Sequence, residues 1–216
     1  MIKYWKKILS LNENNIVKKM YNTLKADDLN NKTYKNKNWV TQVKSVLYEH
    51  GYGYVWLSEE INNVKLESIK KRIFDNYYQK WYSDINNSSK LKSYSIFKHT
   101  FNREKYLDVI KERHLKTSLA KFRTSAHQLA IETGRYTNTP QNERHCKSCN
   151  MNLIESEYHF LLVCPKYREL RSKYFTSYFC HSPSLNKFDS LMSSNSKKTI
   201  YNIAKFIYYA NKIRIS

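Results

Sequence analysis

The sequence predicts a mainly α fold, helical except for a small knuckle, with room for a short β-hairpin, inserted near residues 144–164. Two observations carry this. Only 3 Gly and 3 Pro occur among 216 residues, fewer than sheets joined by tight hairpins ordinarily need. Apolar residues also recur along most of the chain at the spacing of one helical face. The apolar fraction of 41% is low, but 15% aromatics restores enough bulk for a core at this length.

Ile16, Met20 and Leu24, with Val17 and Tyr21 beside them, mark one helix. Asn38 has the side chain of an N-cap for the next, which carries Trp39, Val43, Val46 and Leu47. That helix ends at Gly51-Tyr52-Gly53, where glycine permits a left-handed exit. Leu66, Ile69, Ile73, Tyr77 and Trp81 form the longest stripe, on a helix from about 66 to 82. The polar run from Asp84 to Ser89 reads as a break; Leu91, Tyr94 and Phe97 then face inward, and Leu107, Ile110 and Leu115 continue the pattern. Character changes near Leu119, since Gly134 and Pro140 appear and all four Cys lie beyond them. The chain is therefore expected to divide into a helical region, 1–118, and a knuckle segment with C-terminal helices, 119–216, one continuous domain being the alternative. Pro165 suits the first turn of a helix with Tyr167, Leu170 and Tyr174. Ser182-Pro183-Ser184 separates it from an amphipathic piece with Leu185, Phe188 and Leu191, and Ile200, Ile203, Ala204 and Ile207 line the last helix.

Lys and Arg number 38 against 18 acidic residues, a net charge of +20. Such a bias attracts polyanions at long range; a Lys-, Asn- and Tyr-rich composition is also what an AT-rich coding genome yields. No apolar run is long enough to span a membrane, and the segment Met1 to Leu9 lacks the uninterrupted apolar stretch of a signal peptide. Four Cys without a secretion signal argue for a reducing compartment, nuclear or cytoplasmic, with free thiols.

Three of those thiols form the chain's most specific pattern. Cys146, Cys149, His159 and Cys164 are spaced C-x2-C-x9-H-x4-C. The tight Cys pair aims two sulfurs at one point, and His159 and Cys164 can converge on it from a helical turn. Soft thiolates with one imidazole select a single Zn2+ in a closed tetrahedral site, structural because no position is left for water. Arg144, Lys147 and Lys166 stand near enough in sequence to offset its negative charge. His145 competes as a ligand, and Cys180-His181 lies one helix further on.

No Gly-rich phosphate loop or G-x-S-x-G occurs. Ala26-Asp27-Asp28 sits at the polar end of a helix and reads as a terminus or turn. Glu59-Glu60 reads as a solvated pair. Glu155 and Glu157 are expected to meet Lys or Arg, and His127 to be a hydrogen-bonded structural histidine. The chain is not expected to be an enzyme by itself or to take a small-molecule substrate.

Lys121-Phe122-Arg123-Thr124-Ser125-Ala126-His127-Gln128-Leu129, Ile131-Glu132-Thr133-Gly134-Arg135-Tyr136, Glu143-Arg144-His145-Cys146-Lys147-Ser148-Cys149, the segment from Ile154 to Cys164, and Tyr167-Arg168-Glu169-Leu170-Arg171 together resemble the C-terminal zinc-containing region of reverse transcriptases from non-LTR (LINE-type) retrotransposons. Asn38-Trp39-Val40 and Gly51-Tyr52-Gly53-Tyr54-Val55-Trp56 are similar to the helical region that precedes it. The resemblance is specific between Lys121 and Arg171 and weaker elsewhere. It implies a module that engages element RNA or target DNA, with polymerase palm and endonuclease lying N-terminal of this chain. The nine-residue loop between Cys149 and His159 departs from the retroviral-type knuckle, which has four.

Lys116, Lys121, Arg123, Arg135, Arg144 and Lys147 are the candidate phosphate contacts, and Tyr136 and His145 could stack on unpaired bases. The alternative is a zinc-organised helical scaffold for another protein. RNA against DNA, and oligomeric state, are left open by the sequence.

Overall fold

The computed structural model describes residues 1–30, 38–61 and 66–215, and the expected mainly α fold is observed. Two compact units are present, Met1–Lys80 and Trp81–Ser216. Among the described residues, strand pairing is confined to one isolated bridge, between His145 and Ile154, and no helix is long and apolar enough to cross a membrane.

The first unit holds helices α1 (Ile2–Leu9), α2 (Ile16–Asn30), α3 (Trp39–Glu49), α4 (Gly53–Ser58) and the first part of α5 (Leu66–Asn87). Asn38 is the N-cap of α3, its side chain accepting the Thr41 N–H at 2.9 Å. Gly51 alone supplies the left-handed exit, at φ +80°, whereas Gly53 begins α4. Trp5 and Trp56 stack at 5.5 Å over Val40, Val43 and Leu47, all buried. The face of α2 differs from expectation. Ile16 and Met20 are 69% and 59% exposed, while Tyr21 is buried with Val17 and Leu24 beside it. The reason is the tyrosine hydroxyl, which accepts from Trp5 Nε1 at 3.1 Å and donates to Glu59 at 2.6 Å. A large ring with a satisfied polar tip outweighs two flexible aliphatic chains in setting the rotation of the helix.

Helix α5 continues to Asn87 through the stretch read as a break, because Asn86 and Asn87 bond back to Tyr82 O and Ser83 Oγ within the helix and Ile85 is buried. The chain leaves the helix at Ser88.

The second unit contains α6 (Lys92–Phe97), α7 (Tyr106–Val109), α8 (Arg113–Arg123), α9 (Ala130–Tyr136), α10 (Arg168–Tyr174), α11 (Ser177–Cys180), α12 (Leu185–Met192) and α13 (Lys197–Ile215). Its core forms where α13 crosses α8 and α10. Ile200, Ile203, Ala204 and Ile207 face inward as expected, joined by Phe206 and Ala210. No division occurs near Leu119: α8 runs through it, and Leu115, Leu119 and Phe122 all enter the same core. Burying those three residues against α13 gives more than a boundary at that point would leave. Ser184 caps α12 by accepting the Lys187 N–H, with Phe188 and Leu191 buried and Leu185 exposed.

Candidate metal centre

The four expected ligands meet at one point. Their ligand atoms all lie within 4.8 Å of one another. Cys146 Sγ and Cys164 Sγ are 4.0 Å apart and Cys149 Sγ is 3.4 Å from His159 Nε2. Bond lengths of about 2.3 Å to sulfur and 2.0–2.1 Å to nitrogen at tetrahedral angles call for ligand separations of roughly 3.5–3.8 Å, so the set needs little adjustment to enclose one ion. The sulfurs are too far apart for a disulfide.

Local structure explains the convergence. Cys146 N–H donates to Leu153 O at 2.8 Å and Glu155 N–H to Arg144 O at 2.9 Å, so the two chain segments pair around the His145–Ile154 bridge as a minimal ribbon. Lys147 and Ser148 then turn the chain so that Cys149 faces back, and Asn152 takes a left-handed φ of 51° on the return. The second ligand pair lies on a π turn, His159–Val163, closed by Cys164 N–H donating to His159 O at 2.7 Å. Five residues along an α-helix would set the two side chains about 140° apart. The wider turn brings them to one face. Ser156 Oγ accepts the His159 N–H at its start.

Burial fits the residues to a cation. Cys146, His159 and Cys164 are buried, Cys149 half-buried. Burial pushes the Cys164 thiol up to about 12 and raises Cys146, and it lowers His159 toward its neutral, ligating form. His159 Nδ1 is buried with no hydrogen-bond partner. Three thiols and the His159 Nε2 gathered at one point, mostly out of water, are a donor set that a bound metal ion would satisfy.

Two further charged residues, beyond the expected Arg144, Lys147 and Lys166, stand close to the cluster. Arg171, buried on α10, donates Nε to Leu161 O at 3.0 Å and Nη2 to Cys164 O at 2.8 Å. It thereby satisfies carbonyls the π turn leaves open and sets a guanidinium beside the sulfurs. One signal for it lay in the spacing: Arg171 falls four residues after the buried Tyr167, where a helix would share its inward face. Glu155, also buried, accepts from Arg214 Nε and Nη2 at 2.9 Å and from the Ala130 N–H at 2.7 Å, and its carboxylate stands 3.9 Å from Cys146 Sγ. Glu157 is equally buried and gathers Ser93, Ser125 and His127 at 2.8, 3.0 and 2.9 Å. His127 is thus the structural histidine expected. His145 turns its ring to Asn142 O and is no ligand, and Cys180 and His181 stand outside the cluster.

The six residues assigned to phosphate contacts divide. Lys121 and Lys147 are exposed. Arg123 is not available: it is 7% exposed, donating to Met192 O at 2.8 Å and Glu104 at 2.9 Å with its guanidinium over Phe97. An arginine so enclosed holds the core together and reaches no ligand. Arg144 donates to Thr139 O and Ile131 O, while Arg135 pairs with Glu132 and reaches Ser89. Lys116 donates to Leu107 O at 2.9 Å. Asp27 and Asp28 belong to α2, where Asp28 accepts from Thr41 and Lys44, a structural role.

Compared with protein-family models, curated proteins and solved structures, the chain matches none.

Proposed function

We propose that this chain is a non-catalytic nucleic-acid-binding module whose second unit is stapled by one structural Zn2+ held by Cys146, Cys149, His159 and Cys164. The observation that carries the reading is the enclosure of three thiols and an imidazole at one point, with all four positions supplied by the protein. Thiolate and imidazole donors favour zinc over harder cations, and a closed set leaves no site for an activated water. The net charge of +20 supports a polyanionic partner, and the likeness of Lys121–Arg171 to the zinc region of LINE-type reverse transcriptases supports RNA or DNA near a primer end. A salt titration of binding to single-stranded RNA and to duplex DNA tests this. Affinity that falls steeply and linearly on a log–log plot is expected; no binding at low salt would rule it out.

A second reading, a zinc-organised scaffold for protein docking, is favoured by the exposure of Ile16, Met20 and Leu57 in the first unit. Indifference to nucleic acid together with a stable protein complex would select it.

A further inference from the structure

We infer that the cleft between α8 and α13 is a binding groove for a single-stranded nucleic-acid segment, its phosphates along α8 and one unpaired base against His114 and Tyr208. This rests on the nucleic-acid reading above and goes further by locating the contact and excluding a duplex from it.

The cleft has a volume of about 660 Å3, and none of its lining residues is acidic. Arg113, Thr117 and Lys121 line it from α8 at four-residue intervals. They stand on one face of the helix, with the two cations roughly 12 Å apart along its axis. Neither cation has a hydrogen-bond or ion-pair partner among the described residues, in contrast to Arg123, Arg135 and Arg144. Two unengaged charges spread along an edge match a run of phosphates better than a single anion. Arg214 lines the opposite wall, but its charge is matched by Glu155, so it shapes the groove.

Each helix also brings a ring to the cleft, His114 from α8 and Tyr208 from α13. The His114 and Tyr208 rings stand 4.7 Å apart, with Lys212 Nζ 4.7 Å from the centre of the tyrosine ring. The exposed His114 ring offers a planar base a face to lie against, and Lys212, over one face of Tyr208, adds a positive charge that favours a neighbouring phosphate. Gln128 and Asn211, which also line the cleft, supply amides that can donate to or accept from base edges. An acidic peptide would use the cations and leave the rings and amides without a role. A paired duplex hides its base faces from all of them.

The test is fluorescence anisotropy of a short labelled oligonucleotide, single-stranded or folded as a duplex, with the full chain. Tyr208→Leu and His114→Ala each remove one ring, and the exposed His114 guards against a packing defect at Tyr208. Each is expected to lower single-strand affinity by about fivefold or more, the size of one base–aromatic stack. Arg113→Gln with Lys121→Gln is expected to reduce the log–log salt slope by about 1.4, for two phosphates on a single strand. Lys197→Gln with Lys198→Gln removes the same charge elsewhere on the unit and is the control. If the chain binds nucleic acid but the groove variants fall no further than the control, or duplex binds as tightly as single strand, the groove is wrong and the general reading stands. No binding of either form at low salt overturns both. Tighter binding of polyglutamate than of the oligonucleotide overturns the groove in favour of an acidic protein partner.

Discussion

Glu155 and Arg214 meet as a two-pronged ion pair, the guanidinium Nε and Nη2 each 2.9 Å from one carboxylate oxygen, 59 residues apart in the chain. The carboxylate is 2% exposed and the guanidinium 24%. This pair ties the last turn of α13 to the ribbon that carries Cys146.

Arg214→Leu would leave a buried carboxylate with the Ala130 N–H and a long contact from the Cys146 thiol as its remaining partners. A loss of about 3 kcal/mol is expected, the low end for breaking a buried pair because the arginine is partly wet. Urea unfolding measures it. Replacing both partners with apolar residues should cost less than Arg214→Leu alone, since no stranded charge remains.

Elemental analysis of the purified chain should find about one zinc per molecule, and Cys149→Ser or Cys164→Ser should reduce that sharply. Structural zinc contributes roughly 10–16 kcal/mol of apparent binding energy in small domains, comparable to the whole stability of a typical one. Chelation is therefore expected to unfold much of the second unit, read as loss of far-ultraviolet circular dichroism. A helical signal indifferent to chelation would contradict a structural role for the ion.

Gly134 on α9 lies under Arg144. A Cβ there would come within 2.6 Å of Arg144 Cδ and Nε, and the arginine is held by Thr139 O and Ile131 O. Gly134→Ala should destabilise the second unit by about 1–3 kcal/mol, as overpacking does. In an Arg144→Ala background the same change should cost much less. Thermal melts of the four proteins complete the cycle.

In the first unit, the Lys44 hydrogen bond, joined by that from Thr41, holds the Asp28 carboxyl below its usual range against the opposing effect of burial. A carboxyl lowered in the folded state stabilises above its unfolded value, near 3.9, and that contribution is lost as pH falls through and below it. The wild type should therefore lose more stability than Asp28→Asn between neutral pH and pH 3. The difference should be about 1 kcal/mol, as suits a pair that is partly exposed. Denaturation midpoints across that range decide it.

Helix positions and the convergence of the Cys–His set were legible because each leaves a local signature: a four-residue stripe, an Asn cap, a fixed spacing. The turn of α2 was not, since Tyr21 faces inward through bonds to Trp5 and Glu59, 16 residues before it and 38 after. Glu155 and Glu157 look alike in sequence, two acids flanking a serine, yet one meets an arginine at the far end of the chain and the other a histidine 30 residues upstream. Arg123, counted among surface cations, is enclosed because Met192 O and Glu104 converge on it. Charge alone carries no depth; only the apolar neighbours on the same helical face, Leu115, Leu119 and Phe122, hinted that this arginine points inward.

Those same distant pairings set a pace for folding. Ser93–Glu157, Arg123–Met192 and Glu155–Arg214 close loops of 64, 69 and 59 residues, and α13 supplies core residues that α8 and α10 cannot replace. Loop-closure entropy must be met before such contacts stabilise anything. During synthesis, α8, α9 and the ribbon emerge long before their partner does. The unit should therefore acquire its fold late and slowly for a helical protein, its thiols open to solvent and oxidants until α13 arrives.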